Sequence, residues 1–421
     1  MSRRVHYAWI VVAATFATLV CAAGLVSAPT MFMRPMEANF GWSEAAISSA
    51  IGIQIALFGL TGPFAAAAME RFGVRKTVAS ALCLLVAASI GVTFVTAAWQ
   101  LLLWGACVGV GAGSIALTFG ATMANRWFDT NRGTVMGLFS AGNATGQLIF
   151  LPLFGQIIEH AGWRPCAYVL AGVAATMIVV VLTVVRERPA DVGLPRYGAS
   201  AVDTTPPIKA DPLRRAFTTL RDASREKTFW ILAGSFFICG ASTNGLIGAH
   251  LVPACGDHGI PETRAAGLLA AMGAFDLIGT TLSGWLSDRY SSRWLLFWYY
   301  GLRGLALLFL PFAFGAGVLG LPVFAVFYGL DWIATVPPTV KIATAAFGRE
   351  RAPVVFGWVA ASHQLGAGIT AYVSGAVRTQ IGSYDDAFIT SGLLCLGGAL
   401  LVLRVARKIA TPVPVPAPAG S

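Results

Sequence analysis

The sequence predicts an all-α polytopic membrane protein with twelve transmembrane helices in two six-helix bundles. Three observations carry that prediction. Of 421 residues, 56% are hydrophobic and only 11% charged, with a mean hydropathy of +0.71, whereas a soluble chain carries roughly 25% charge. Apolar runs of about 20 residues, each enough to cross a hydrocarbon core of about 30 Å, recur from end to end. Third, the stretch RWFDTNRGTVMGLFSAGNATGQLIFLPLFG at 126–155 returns 220 residues later, so that Gly137, Gly146 and Gly155 fall on Gly357, Gly366 and Gly375. A β-barrel would show short alternating segments instead.

In order, the spans read as 7–33, 45–69, 77–97, 100–123, 134–158, 166–185, 229–254, 265–287, 294–315, 320–345, 354–379 and 388–405. Arg3 and Arg4 ahead of the first run mimic a signal peptide, but the run is longer than an h-region of about 7–15 residues. The chain divides into an N-terminal bundle at 1–185, a polar linker at 186–228, a C-terminal bundle at 229–408 and a Pro-rich, disordered tail at 409–421. In the linker, Leu213, Phe217 and Leu220 follow helical spacing beside Arg214, Arg215, Arg221 and Arg225. That stretch reads either as a helix lying on the anionic inner leaflet or as a solvated segment.

The net charge of +10 is topological, because 23 of the 29 Lys and Arg lie in the segments that share a side with the N-terminus. The bias puts both termini and the linker in the cytoplasm, in the inner (plasma) membrane, and implies no nucleic acid. The seven Cys show no paired spacing and read as small hydrophobes. No phosphate-cradling GK[ST] loop and no metal-ligand cluster occurs, so neither cofactor nor catalytic residues are expected.

The halves match elsewhere too. GWSE at 41–44 aligns with GIPE at 259–262, pairing Glu44 with Glu262, and MERFGVRK at 69–76 aligns with SDRYSSRW at 287–294. Parallel six-span repeats joined by a polar loop resemble the major facilitator superfamily over essentially the whole chain. The acidic–Arg–x–Gly–x–Arg run of Glu70, Arg71, Gly73 and Arg75 is similar to its loop motif between spans two and three, with Glu for the usual Asp and Ala66 for a common Gly. The fifth-span signature RWFDTNRGTVMGLFSAGNATG, with HYAWIVVAATF and MEANFGWSEA, resembles the monocarboxylate and oxalate–formate transporters. From these loops, Glu70, Arg71, Arg75, Asp288 and Arg289 are expected to form an interdomain gate on the cytoplasmic side.

An ionisable side chain inside the bilayer is a functional candidate by its cost alone. Those inside spans are Asp276, Arg303, Asp331, Lys341, His250 and His363, all in the second half. Counting about 1.5 Å per residue from the helix ends, Arg303, His363 and Asp276 share a level near the midplane, with Asp331 about one turn above. Such a cluster suits a proton-coupled carrier: Arg orients a carboxylate, and Asp or His exchanges the proton. Arg303 equally reads as locked to Asp276 or Asp331 in a structural pair. Asp331 precedes Pro337–Pro338, whose missing N–H groups leave carbonyls free.

Asp276 resembles an eighth-span Asp of the monocarboxylate transporters, but Thr280 stands where they carry Arg, and Thr30 follows Pro29 where some carry Lys. In the first half, Asn143 and Gln147, with Gln54, offer neutral donors, and Tyr328 can stack on a substrate ring. Asn143 aligns with His363 in the repeat. The expectation is a secondary, monomeric carrier of small organic anions, most simply monocarboxylates, by proton symport or anion exchange. A carrier of neutral or cationic amphiphiles using Asp276 and Asp331 is the alternative. A sensor or scaffold without transport is a third reading, disfavoured by the intact repeat.

Overall fold

The structure is a computed structural model that describes residues 6–42, 44–202 and 211–405, apart from the side chains at 30, 34, 44–46, 48, 262–263, 318 and 379. The Pro-rich tail, part of the linker and the pairing of Glu44 with Glu262 lie outside the described residues.

The described residues are mostly helical, and no strand occurs among them. The first half runs α1 Tyr7–Phe40, α2 Glu44–Phe72, α3 Val74–Gly91, α4 Gln100–Ser114, α5 Leu117–Trp127, α6 Arg132–Ala161 and α7 Trp163–Val184. A linker helix, α8 Pro212–Ala223, leads to α9 Lys227–Gly240, α10 Gly248–Asp257, α11 Glu262–Arg289, α12 Ser292–Gly315, α13 Gly317–Asp331, α14 Val336–Ile381 and α15 Asp385–Val402. Ten described stretches are long and apolar enough to cross a membrane. One of them, Leu319–Arg378, holds two spans, because α14 folds back at Gly348, whose φ of 77° favours glycine. The glycine-rich α6, less apolar than the spans on either side of it, completes twelve among the described residues.

Three spans are broken. α4 and α5 meet at a kink over 115–116, and a π-helical turn, Ala241–Ile247, joins α9 to α10. The tenth span is interrupted by a turn over 332–335 between α13 and the first arm of α14.

The duplication is visible in the packing. A Cβ on Gly137 would lie 2.7 Å from the Thr280 carbonyl oxygen on α11, and one on Gly357 would lie 2.6 Å from Pro63 N on α2. Both glycines therefore bring a helix of one half against the other half. Their partners nine residues on face inward: Gly146 meets α1 at Val20 and Ala23, and Gly366 meets α9 at Phe237. Equivalent glycines serve equivalent contacts, as small residues in membrane helices do when backbones approach closely.

The two most extensive cross-half contacts, α6 on α11 and α2 on α14, are close on the side that carries the termini. There Gly133 and Gly137 abut Gly284, and Gly62 abuts Gly357. The halves are closed on this side.

Candidate functional site

The broken tenth span builds the site. At the turn, Trp332 N bonds Gly329 O at 3.1 Å and Val336 N bonds Ile333 O at 3.0 Å. These short-range bonds, with Pro337 and Pro338, release the helical partners of several carbonyls. Arg303, from α12, takes two of them: Nη2 donates to Asp331 O and to Trp332 O. Its Nε donates to Asp331 Oδ2 at 2.7 Å and its Nη1 to Cys239 Sγ at 2.9 Å. Ala334 O, freed by Pro338, accepts from Ser283 on α11.

Arg303 is 1% exposed and Asp331 5%, so theirs is a fully buried ion pair. Asp331, expected a turn above, is the partner because the long guanidinium stem and the turn at 332–335 close that gap. Four of the arginine's five N–H groups are engaged. In this state its charge is held by protein.

Asp276 reaches the same turn from α11. It is 2% exposed, and its Oδ1 accepts from Thr280 Oγ1 at 2.6 Å and from Ile333 N at 2.9 Å. Thr280, which stands where the monocarboxylate transporters carry Arg, is thus the carboxylate's own helical partner. Two carboxylates and one guanidinium converge on one break.

The remaining candidates sit around this core. His363 is half-buried, with its ring 5.1 Å from Phe236, and neighbours the Cys239 thiol. Tyr328 is buried, and its hydroxyl donates at 2.7 Å to Ser242 O in the π-helical turn. Its ring stacks on Phe324, with centroids 5.0 Å apart. Both ring and hydroxyl are therefore used in packing. Asn143 and Gln147 are exposed, on the flank of α6 between its contacts with α1 and with α11. Gln54 is buried and donates to Val26 O at 2.9 Å. Lys341 donates to Ser287 O and His250 Nε2 lies 2.8 Å from Ala371 O, so both are tied to neighbouring backbone. Cys239, expected to act as a small hydrophobe, instead accepts from Arg303, and the only signal for the π-helical turn is the small, polar run ASTNG at 241–245.

Comparison with known proteins decides the family. The family model for the Major Facilitator Superfamily matches residues 14–330 and 244–421. The chain belongs to the major facilitator superfamily. An uncharacterized MFS-type transporter of Bacillus subtilis, YcxA, is 26% identical over 383 residues, 87% of each chain. Monocarboxylate transporter 13 of Bos taurus is 26% identical over 95% of this chain and 89% of its own. Monocarboxylate transporter 4 of Mus musculus is 24% identical over 87% of this chain and 76% of its own. Among solved structures, the proton:xylose symporter XylE bound to 6-bromo-6-deoxy-D-glucose superposes with a TM-score of 0.69 at 15% identity, covering 94% of both chains; that likeness bears on the fold alone. The superfamily makes this chain a multi-pass membrane transporter rather than an enzyme.

The loop motif of the superfamily is arranged asymmetrically here. Asp288 crosses between the halves: its carboxylate accepts from Gly133 N at 2.7 Å, and from Thr134 N and Oγ1 at 2.8 Å. It thereby caps the positive end of the α6 dipole. Glu70 instead accepts from Arg215 of the linker helix at 2.8 Å. Arg75 donates to Leu182 O, Arg71 lies over the Phe72 ring and Arg289 donates to Trp285 O. Of the five motif residues expected to pair the halves, Asp288 does so directly, whereas Arg75 and Arg289 bond to backbone within their own halves.

Two further pairs complete this side. Glu187 accepts from Val74 N at 2.6 Å, Arg75 N at 2.9 Å and Arg126 Nη1 at 3.2 Å, fixing the start of α3. Arg349 bonds Asp129 directly across the halves. These two residues are 220 apart, the repeat offset, so equivalent positions of the two copies carry opposite charges and meet on the pseudo-twofold axis. The Arg349 hydrogen bond holds the Asp129 carboxyl below its ordinary value.

Proposed function

We propose that the chain is a secondary carrier of small organic anions, most simply monocarboxylates, working by proton symport or by anion exchange with alternating access. The observation that carries this reading is the charge count at the tenth-span break: Asp276 and Asp331 face one arginine, Arg303, all buried. With both carboxylates ionised, the cluster holds an uncompensated negative charge in a low-dielectric interior, an expensive state that a proton relieves. Protonation removes the repulsion that an approaching carboxylate would meet. The arginine then orients the substrate only if its bond to Asp331 loosens, which couples proton, substrate and the turn at 332–335. The monocarboxylate transporters among the relatives support the substrate class.

His363, Asn143 and Gln147 supply the polar surround, with Asn143 and His363 at equivalent places in the two copies. Tyr328 braces the π-helical turn. The Lys and Arg bias supports cytoplasmic termini in the inner membrane, and on that reading the closed side is the cytoplasmic one. Asp288, with Glu70, Arg71, Arg75 and Arg289 holding the loops around it, acts in that gate.

A second reading rests on the engagement of four of the five N–H groups of Arg303. If the arginine stays locked, the spare carboxylate charge suits a cationic amphiphile. Uptake by proteoliposomes separates the two. Acid-stimulated uptake of a short monocarboxylate, lost in Asp276→Asn, supports the first; uptake of a quaternary ammonium ion that needs Asp276 or Asp331, with no carboxylate uptake, supports the second.

A further inference from the structure

The gate on the termini side is incomplete without α8. By the repeat, the cap that Asp288 gives α6 should be matched by Glu70 capping the second arm of α14 at 353 and 354, but Pro353 has no N–H to donate. Glu70 turns to Arg215, and the two side chains are mostly buried. From there α8 reaches the other half. Ala216 O accepts from Trp358 Nε1 at 3.1 Å, and Ala216 packs with Ala66, Ala67 and Val354. The Phe217 ring lies 5.5 Å from Phe64 and 5.9 Å from Trp358. One short helix straps α2 to the second arm of α14, the pair that must part when this side opens.

The outer face of α8 has a different character. Leu213 and Phe217 are 62% and 54% exposed. By helical phase Arg214 and Arg221 flank them along one edge, with Arg225 just beyond the helix end, and all three are exposed. Arg221 lies 3.6 Å from Asp222, itself exposed, in a pair that solvent screens. The inner face, with Ala216, Thr219 and Ala223, is buried against the bundles. An apolar pair edged by guanidinium groups, at the level where α2 ends, matches the glycerol and phosphate region of a bilayer. Guanidinium groups take phosphate oxygens in bidentate fashion.

We propose that α8 docks by this outer face on anionic phospholipid headgroups, so that lipid charge sets how firmly the strap holds the two halves together. The acidic neighbours Asp211 and Asp222 do not oppose this, since Asp211 is turned to Arg214 N as the helix cap at 3.0 Å and Asp222 lies on the other side of the helix from Leu213.

The test is hydrogen exchange of the full chain in nanodiscs of phosphatidylcholine alone and of phosphatidylcholine with phosphatidylglycerol. Phosphatidylglycerol is expected to slow backbone exchange across 212–223 by about fivefold or more, the effect of a single arginine at an anionic surface. The triple variant Arg214→Gln, Arg221→Gln, Arg225→Gln should exchange at the phosphatidylcholine rate in both membranes, and the corresponding Lys variant should keep the difference. Arg215→Gln should speed exchange in both lipids while leaving their ratio intact. Equal exchange of the native chain in the two membranes, or slowing that survives the triple Gln variant, would overturn the proposal.

Discussion

The two halves of this transporter share one helix framework and carry different chemistry on it. Gly137 and Gly357 make the same kind of cross-half contact, and Gly146 and Gly366 the same kind of inward one. Within its spans the first half offers Asn143 and Gln147, whereas the second gathers Asp276, Arg303, Asp331 and His363 around a broken helix. Duplication has conserved what sets distances between backbones and released what sets charge. The second half can hold charge because its tenth span is interrupted: loose carbonyls and one N–H at 329–336 serve as ligands for Arg303 and Asp276. Asp129 and Arg349 make the same point on a loop, where one duplicated position has acquired opposite charges.

The largest test of this contrast is removal of one charge from the buried pair. Arg303→Leu should lose about 3–5 kcal/mol of unfolding free energy, since it leaves Asp331 buried without its cation, and Asp331→Leu should lose less, since Asp276 remains beside the arginine. The double variant should recover most of that loss. Asn143→Leu, at a neutral and exposed place in the first half, should stay within about 0.5 kcal/mol. Denaturant unfolding in detergent reads all four.

A smaller effect tests the shared framework. Gly137→Ala and Gly357→Ala both press a methyl group into facing backbone, at 2.7 Å from Thr280 O and 2.6 Å from Pro63 N. Each should cost the closed state about 1–3 kcal/mol of overpacking, and the two costs should be alike. Spin-label distances across the termini side would report the shift toward opening; a shift in only one variant would show that the contacts are not equivalent.

The smallest effect belongs to the pair on the axis. Asp129 and Arg349 are partly exposed, so exchanging their identities in Asp129→Arg with Arg349→Asp should restore the about 0.2–1 kcal/mol that either single reversal removes. The pair also gives closure an acid dependence. Because Arg349 lowers the Asp129 value, its contribution is complete above the ordinary Asp value of about 3.9 and is lost as pH falls through the lowered one. The same distance measurement in acid, repeated with Asp129→Asn, should show opening that the variant no longer responds to.

The twelve spans, the duplication and the one-sided placement of charge were legible because they rest on hydropathy and spacing, which a single sequence displays directly. The buried candidates were legible for the same reason, since charge in an apolar run stands out. The pairing was not. Counting rise per residue set Asp331 above Arg303, and neither the turn at 332–335 nor the reach of a guanidinium enters such a count. Cys239 looks like any buried cysteine until Arg303 Nη1 is found against it. The loop motif suggested symmetric pairing, but Pro353 removes the cap that Glu70 would have made, and Arg215, in the linker, takes its place. Asp129 and Arg349 lay within the aligned copies, yet their contact depends on where the pseudo-twofold axis passes, which only the folded halves define.

The account turns on what the spare carboxylate at the tenth-span break does. Uptake of a labelled short monocarboxylate into proteoliposomes, with and without an inward proton gradient, measures it most directly. Accumulation that follows the gradient, collapses with a protonophore and loses its pH dependence in Asp276→Asn is the predicted result. Uptake of a quaternary ammonium ion with no carboxylate uptake at any pH would contradict it.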